Sequence, residues 1–120
     1  MTTSELSTTV RRRDRVAVID LVGGVNARAE HSLDTAWAEA VRELPDAVVL
    51  NFRDAGYINS TGIALIVGLL AKARARGVPI RAYGLTPHYR EIFEITRLAD
   101  FLAINPDEDS AVRGAERSST

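Results

Sequence analysis

The residues that could do chemistry in this chain are clustered in one short polar stretch, Asn59-Ser60-Thr61-Gly62. The stretch directly precedes a long apolar run, so Ser60 stands where a polar turn changes into an apolar element. A serine at such a position could be a hydrolytic nucleophile, a regulatory acceptor, or the N-cap of a helix. A nucleophile also needs a base within reach and a group that orients that base.

The sequence does not supply the rest of a catalytic site. The only histidines are His31 and His88, and both are predicted to be exposed residues near helix starts. The G-x-S-x-G turn of hydrolases is absent, because the stretch around Ser60 lacks its first glycine. Gly23-Gly24 is too short a motif for a phosphate-binding loop, and no residues have metal-ligand spacing. We therefore expect no enzymatic activity, no metal and no cofactor.

Composition and charge argue against several other classes of protein. The 120 residues suit one domain, and the net charge of -1 attracts neither nucleic acid nor an anionic membrane. The basic run Arg11-Arg12-Arg13 is expected to be a solvated face. The longest apolar run, Ile63–Ala71, is too short to cross a bilayer, and the N-terminus lacks the apolar segment of a signal peptide. With no cysteine in the chain, a soluble cytoplasmic protein is expected.

Periodicity predicts the elements that position Ser60. Apolar β-branched runs predict strands at 16–22, 47–52, 78–83 and 101–104, with a further strand within 5–11. Gly23-Gly24 is expected to end the first of these runs, and 53–56 to be a turn. Helical spacing predicts helices from Asn26 to Leu44, from Ser60 to Arg76 with Gly77 after its end, and from Thr86-Pro87 onward. The apolar stripe on the inner side of the first predicted helix is Leu33, Ala36, Trp37, Ala40, Val41 and Leu44. The inner side of the third predicted helix carries Tyr89, Ile92, Phe93 and Thr96.

This order of elements is typical of an α/β protein. We expect a mixed, mostly parallel sheet of four to five strands covered by helices. Residues 1–105 should form the domain, and the polar residues 106–120 a flexible C-terminal tail.

The two faces of the helix from Ser60 can be separated by its rotation of about 100° per residue. The side expected to face the sheet carries Ile63, Ile66, Val67 and Leu70. The outer side then carries Leu65, Gly68, Leu69 and Lys72. Leucines on an outer face suggest a shallow dock for a protein partner, with Leu65 and Leu69 as anchors. Alternatively, a neighbouring helix or a second copy in a homodimer covers them.

The ordered set of motifs from residue 56 to residue 104 resembles the second half of a STAS domain, the fold of bacterial anti-sigma factor antagonists. The resemblance extends over residues 5 to 105 in element order. The matching positions are Tyr57-Ile58, Asn59-Ser60-Thr61-Gly62, Gly77, Thr86-Pro87, Phe93 and Leu98.

The resemblance implies partner switching. The unphosphorylated protein would bind a serine-kinase anti-sigma factor, which phosphorylates Ser60, and a serine phosphatase would reverse the modification. Thr61 is a second, weaker acceptor candidate. Where the family has an acidic residue this chain has Asn59, which can accept a hydrogen bond but has no charge. The alternative function is a STAS subunit docked on a transporter ATPase, which requires no phosphorylation.

Overall fold

The computed structural model describes the backbone of residues 5–118 and the side chains of residues 5–114. Its sheet has five strands in the order β1-β2-β3-β4-β5, with β1 antiparallel to β2 and the other pairs parallel. The strands are β1 Ser7–Arg13, β2 Val16–Val25, β3 Ala47–Ile58, β4 Ile80–Tyr83 and β5 Ala103–Asn105. The helices are α1 Glu30–Val41, α2 Ser60–Arg76, α3 Pro87–Ile95 and α4 Glu108–Ser118. This confirms the mixed, mostly parallel sheet covered by helices.

The two faces of the sheet are covered by different helices. Successive strand residues point to opposite faces, so the apolar runs of β2 and β3 supply side chains to both. The larger core packs one face against α1, α2 and α3, and it includes Trp37, Leu69 and the fully buried Phe93. On the opposite face a smaller cluster joins the sheet to α4, and its members are Val16, Val18, Ala47, Val49, Tyr83, Ala111 and Val112.

The two long strands run further than the sequence predicts. Gly23-Gly24 does not end β2, which continues to Val25, and the expected turn at 53–56 belongs to β3. The extended parts pair with each other, with register shifts between Asp20 and Val22 and between Gly23 and Val25. At Gly23, φ is +110°, and a Cβ there would lie 2.5 Å from the Glu5 carbonyl oxygen. The glycine therefore marks an irregularity within a strand, not its end.

The first helix is shorter than the apolar stripe suggests. Asn26 caps a short 3₁₀ turn at Ala27–Ala29 by accepting the Arg28 N–H, and α1 itself begins at Glu30. The helix ends at Val41, so Leu44 is not part of the inner stripe: it is 76% exposed with a φ of +53°. The proline after Leu44 explains this, because right-handed helical geometry is disfavoured for the residue before a proline.

The expected flexible tail is wrong for the part that the structure describes. Asp107 precedes α4 and its side chain accepts the Ser110 N–H at 2.8 Å, and Ala111 and Val112 are buried against the sheet. The remainder of the expected tail, residues 119–120, lies outside the described residues, as do residues 1–4 of the expected domain. A polar helix can be held in this way when a few small apolar residues face an apolar sheet.

The shorter elements agree with expectation apart from their ends. The strands expected at 78–83 and at 101–104 each begin two residues later in the structure, at Ile80 and Ala103. The strand expected within 5–11 is β1, which begins at Ser7 and extends two residues beyond that range to Arg13. Helix α3 is capped as predicted, with Pro87 in its first turn and the Thr86 hydroxyl accepting the Tyr89 N–H at 3.3 Å.

Candidate functional site at the start of helix α2

Ser60 is the first residue of α2, and its side chain is exposed. This confirms the prediction that Ser60 begins the helix, but Ser60 is not its cap. Asn59 holds that position in extended geometry, and its Oδ1 accepts the Gly62 N–H at 2.8 Å. Within the described part of the chain, nothing hydrogen-bonds the Ser60 hydroxyl. The oxygen is therefore available to a partner without loss of the cap.

The residues around Ser60 are fixed from two sides. The Asn59 N–H donates to the carbonyl of Val25 at the end of β2, with an N–O distance of 3.2 Å. The Ile58 N–H donates to the hydroxyl of Tyr89 on α3 at 2.9 Å. Gly62 packs so closely on the Val25 carbonyl that a Cβ at this position would overlap it. The loop that presents Ser60 is thus tied to both β2 and α3.

The electrostatic environment of Ser60 is that of an open helix N-terminus. The first turn of α2 contains no acidic residue, so no carboxylate of that turn competes for its N–H groups. Among the residues that the structure describes, none accepts the N–H of Ser60 or of Thr61. Such donors, together with the helix dipole, favour negative charge at this end of a helix.

The predicted outer face of α2 is wrong in part. Leu69 is only 2% exposed and belongs to the core, whereas Val67, expected to face the sheet, is 47% exposed. The reason is that α2 packs against α1 as well as the sheet, which widens and rotates its buried side. Leu65, Gly68 and Leu69 line a small cleft of about 140 Å³ between the two helices.

The other members of that predicted surface have mixed exposure. Leu65 is half-buried, and Gly68 is exposed. Lys72 is exposed but pairs with Asp34 of α1, with a Nζ–Oδ1 distance of 2.7 Å. A partner therefore cannot use Leu69 as an anchor, and it meets Lys72 already engaged in an ion pair.

Tyr57 is an exposed aromatic residue close to Ser60 that the outer-face argument missed. It is 57% exposed, whereas its neighbour Ile58 is 7% exposed. Because adjacent strand residues point to opposite faces, the extension of β3 through Ile58 turns Tyr57 outward. Because residues 53–56 are predicted from the sequence to be a turn, the predicted alternation of the strand does not extend to Tyr57.

The histidines do not form a catalytic arrangement with Ser60. Both His31 and His88 are exposed, as predicted, and His88 packs against the Tyr89 ring with 5.0 Å between ring centroids. In the described residues, no histidine hydrogen-bonds Ser60 and no group of three acidic, histidine or cysteine side chains is placed to hold a metal ion. Over the same residues, no helix has both the length and the apolar character needed to span a membrane.

The basic run at 11–13 is partly exposed to solvent, as expected of a strand face, but its arginines are also engaged in ion pairs. Glu108, at the start of α4, accepts hydrogen bonds from Arg11 at 2.7 Å, Arg13 at 2.9 Å and the Tyr83 hydroxyl at 2.6 Å. The Arg11 hydrogen bond is the main cause that lowers the pKa of Glu108 to about 2. Burial, aided by Glu108, raises the pKa of Tyr83. Arg11 also pairs with Asp20 at 2.6 Å. This network holds α4 on the sheet, away from Ser60.

Comparison with known proteins adds family information to this geometry. A family model described as the STAS domain matches residues 7–111. The anti-sigma-F factor antagonist RsfA of Mycobacterium tuberculosis is 23% identical over 109 residues, which cover 89% of this chain and 85% of RsfA. The crystal structure of an anti-sigma factor antagonist from Mycobacterium paratuberculosis matches with a TM-score of 0.78 at 19% identity, covering 93% of this chain and 95% of that one.

A second solved structure has the same fold. The Bacillus cell fate determinant SpoIIAA in its phosphorylated form matches with a TM-score of 0.67 at 18% identity. The match covers 89% of this chain and 98% of SpoIIAA. At these identities the structural matches show that the fold is shared.

Proposed function

The chain belongs to the STAS domain family, and from that premise we propose that it is an anti-sigma factor antagonist switched by phosphorylation of Ser60. In this proposal it is a cytoplasmic binding protein without catalytic activity or cofactor, and its partners are a serine-kinase anti-sigma factor and a serine phosphatase. The observation that carries the proposal is the exposed Ser60 hydroxyl, which makes no hydrogen bond to the described residues and stands at the first position of α2.

The position of Ser60 allows the fold to survive modification. The cap of α2 is the Asn59 side chain, so a phosphoryl group on Ser60 removes no hydrogen bond from the helix start. The phosphate adds about -1.5 to -2 charges. The N–H groups of Ser60 and Thr61 and the helix dipole favour that charge. The main change is therefore in the charge of the surface that a partner meets.

Asn59 can fill the structural role of the acidic residue that the family has at this position. Its Oδ1 makes the capping hydrogen bond to Gly62, which needs an acceptor oxygen and no charge. An amide also adds no negative charge beside the incoming phosphate, whereas a carboxylate would repel it. The carboxylate that this chain lacks would act only in the kinase step, where it would orient the serine hydroxyl for phosphoryl transfer.

The docking surface that we propose surrounds Ser60. Tyr57 supplies an exposed aromatic anchor on one side, a type of residue that often dominates binding energy. Along α2, the exposed Thr61, Ala64 and Gly68 follow Ser60. Their small side chains allow a partner backbone to approach closely. Kinase and phosphatase both need this surface, because both act on the same hydroxyl.

Phosphorylation mapping tests the proposal. The protein is incubated with ATP and a candidate serine-kinase anti-sigma factor encoded near it, and products are mapped by intact mass and peptide sequencing. We expect one phosphate on Ser60, none on Ser60→Ala, and faster transfer to Asn59→Asp if a carboxylate assists the kinase step. Phosphate on another residue, or on none, contradicts the switch and favours the transporter-subunit alternative.

A further inference from the structure

A groove far from Ser60 lies between the C-terminal half of α2 and the 3₁₀ turn Leu98–Asp100 that follows α3. Its volume is about 330 Å³. The residues that line it are Val67, Leu70, Ala71, Arg74, Thr96, Arg97, Leu98 and Phe101. The floor is apolar and buried, since Leu70 and Leu98 are 8% and 4% exposed. The walls combine apolar side chains with two arginines and are open to solvent.

Two large apolar side chains of the walls come from distant parts of the chain. Val67 of α2 is 47% exposed and Phe101 is 56% exposed. Single exposed apolar residues are ordinary, but here two converge on one concave surface above a buried floor. A second cleft of about 370 Å³ is also lined by Leu70, Arg74 and Phe101. Phe101 is thus shared by two adjacent clefts, a position from which its ring can pack against a partner.

The charge of the groove selects the kind of partner. Among the residues that the structure describes, this lining contains two guanidinium groups and no carboxylate. The guanidinium of Arg74 lies over the Phe101 ring, with 5.9 Å from Cζ to the ring centroid. Arg97 stands at the rim and pairs with Asp100 through Nε at 2.8 Å. Charge complementarity therefore favours an acidic partner surface.

We propose that this groove is a second docking site, which holds an amphipathic helix of a partner protein. The helix places an apolar side chain between Val67 and Phe101 and a carboxylate against Arg74. This mode of recognition, a helix in an apolar groove, recurs in peptide-binding proteins.

The site is independent of the phosphorylation switch. Ser60 and Arg74 stand near opposite ends of α2, roughly 21 Å apart at about 1.5 Å of rise per residue. The Debye length at physiological ionic strength is about 8 Å, so a phosphate on Ser60 is screened from the groove. A partner segment bound there stays bound in both states of Ser60.

The test titrates isotope-labelled full-length protein with a capped Leu/Glu helical peptide and follows backbone amide shifts by NMR. The charge-reversed probe is the same peptide with Lys in place of Glu. We expect the acidic peptide to shift the amides of Val67, Ala71 and Phe101, and the basic peptide to bind at least fivefold more weakly. Ser60→Asp should leave binding of the acidic peptide unchanged, whether or not Ser60 proves to be phosphorylated.

Variants make the test specific to the groove. Arg74→Glu should reverse the peptide preference, and Phe101→Ser should weaken binding about tenfold through lost apolar contact. The matched control is Arg76→Glu, an exposed arginine of the same helix that does not line the groove. All three sites are exposed, and circular dichroism verifies the fold of each variant. Equal binding of both peptides, shifts centred elsewhere, or an Arg76→Glu effect equal to that of Arg74→Glu overturns the proposal.

Discussion

Asn59 caps helix α2 by accepting the Gly62 N–H on its side-chain oxygen at 2.8 Å, while the neighbouring Ser60 takes no part in the cap. The stability of the helix start therefore depends on Asn59, and modification at this site would involve Ser60. The residue that holds the helix start is not the residue that we propose to be phosphorylated.

The first prediction follows from that division. Asn59→Ala should lower the free energy of unfolding by about 1 kcal/mol, because the first turn loses its capping acceptor. Ser60→Ala should change it by less than about 0.5 kcal/mol, as is usual for an exposed residue without a partner. Urea unfolding of both variants measures this. A larger loss for Ser60→Ala than for Asn59→Ala would show that the serine is the cap.

The second prediction concerns the glycines of α2. Gly62→Ala should destabilise the protein by about 1–3 kcal/mol, because its new methyl group meets the Val25 carbonyl. Gly68→Ala is the matched control, since a Cβ there meets no atom of the described residues within 4 Å. It should be stabilising by about 0.5–1 kcal/mol through helix propensity. Thermal melts that rank the two variants the other way would contradict the close approach of α2 to β2.

The third prediction concerns Glu108 and pH. Its pKa is lowered from the ordinary 4.5 to about 2 in the folded protein, chiefly by the hydrogen bond from Arg11. A carboxyl with a lower pKa in the folded state stabilises it fully above about pH 5, and this contribution is lost as pH falls towards 2. Glu108→Gln should therefore cost about 1–2 kcal/mol at pH 7 and much less near pH 3.

The control for Glu108 is Asp109→Asn, because the Asp109 side chain is 65% exposed although it also contacts Arg13. It should alter stability by less than about 0.5 kcal/mol at either pH. Urea unfolding at pH 7 and pH 3 supplies all the values. If the stability loss of Glu108→Gln is the same at both pH values, the ion pairs of Glu108 do not hold α4 on the sheet.

The fourth prediction corrects the expected outer face of α2. Leu69→Ala should cost about 2–4 kcal/mol, as expected for truncation of a leucine that is 2% exposed. Val67→Ala, at 47% exposure, should cost less than about 1 kcal/mol. Denaturant unfolding measures the loss of unfolding free energy for each variant. Similar losses for the two variants would contradict the burial of Leu69.

The limits of α2 could be predicted because their signals are local. An asparagine before the first turn and Gly77 after the last, which adopts a φ of +70°, act on their immediate neighbours. The orientation of the helix is not local. A helical wheel assigns one buried side, but Leu69 is buried because α1 packs on a second side.

The missed parts of the fold depend on pairings between distant residues. The extra length of β2 and β3 arises because Gly23 and Val25 pair with Ala55 and Ile58. Glycines in both segments, and polar residues in the β3 segment, suggest turns instead. Helix α4 is too polar to be recognised alone. Its position depends on Glu108 meeting two arginines from β1, nearly a hundred residues away in the chain.

The measurement that tests the central claim most directly is the affinity of the cognate serine-kinase anti-sigma factor for this protein with and without phosphate on Ser60. Calorimetric titration compares wild type, the enzymatically phosphorylated protein, Ser60→Ala and Ser60→Asp. We expect tight binding by wild type and Ser60→Ala, a loss of at least tenfold on phosphorylation, and a smaller loss for Ser60→Asp, because one carboxylate reproduces only part of a phosphate's charge. Equal affinity of the phosphorylated and unphosphorylated proteins would contradict the switch.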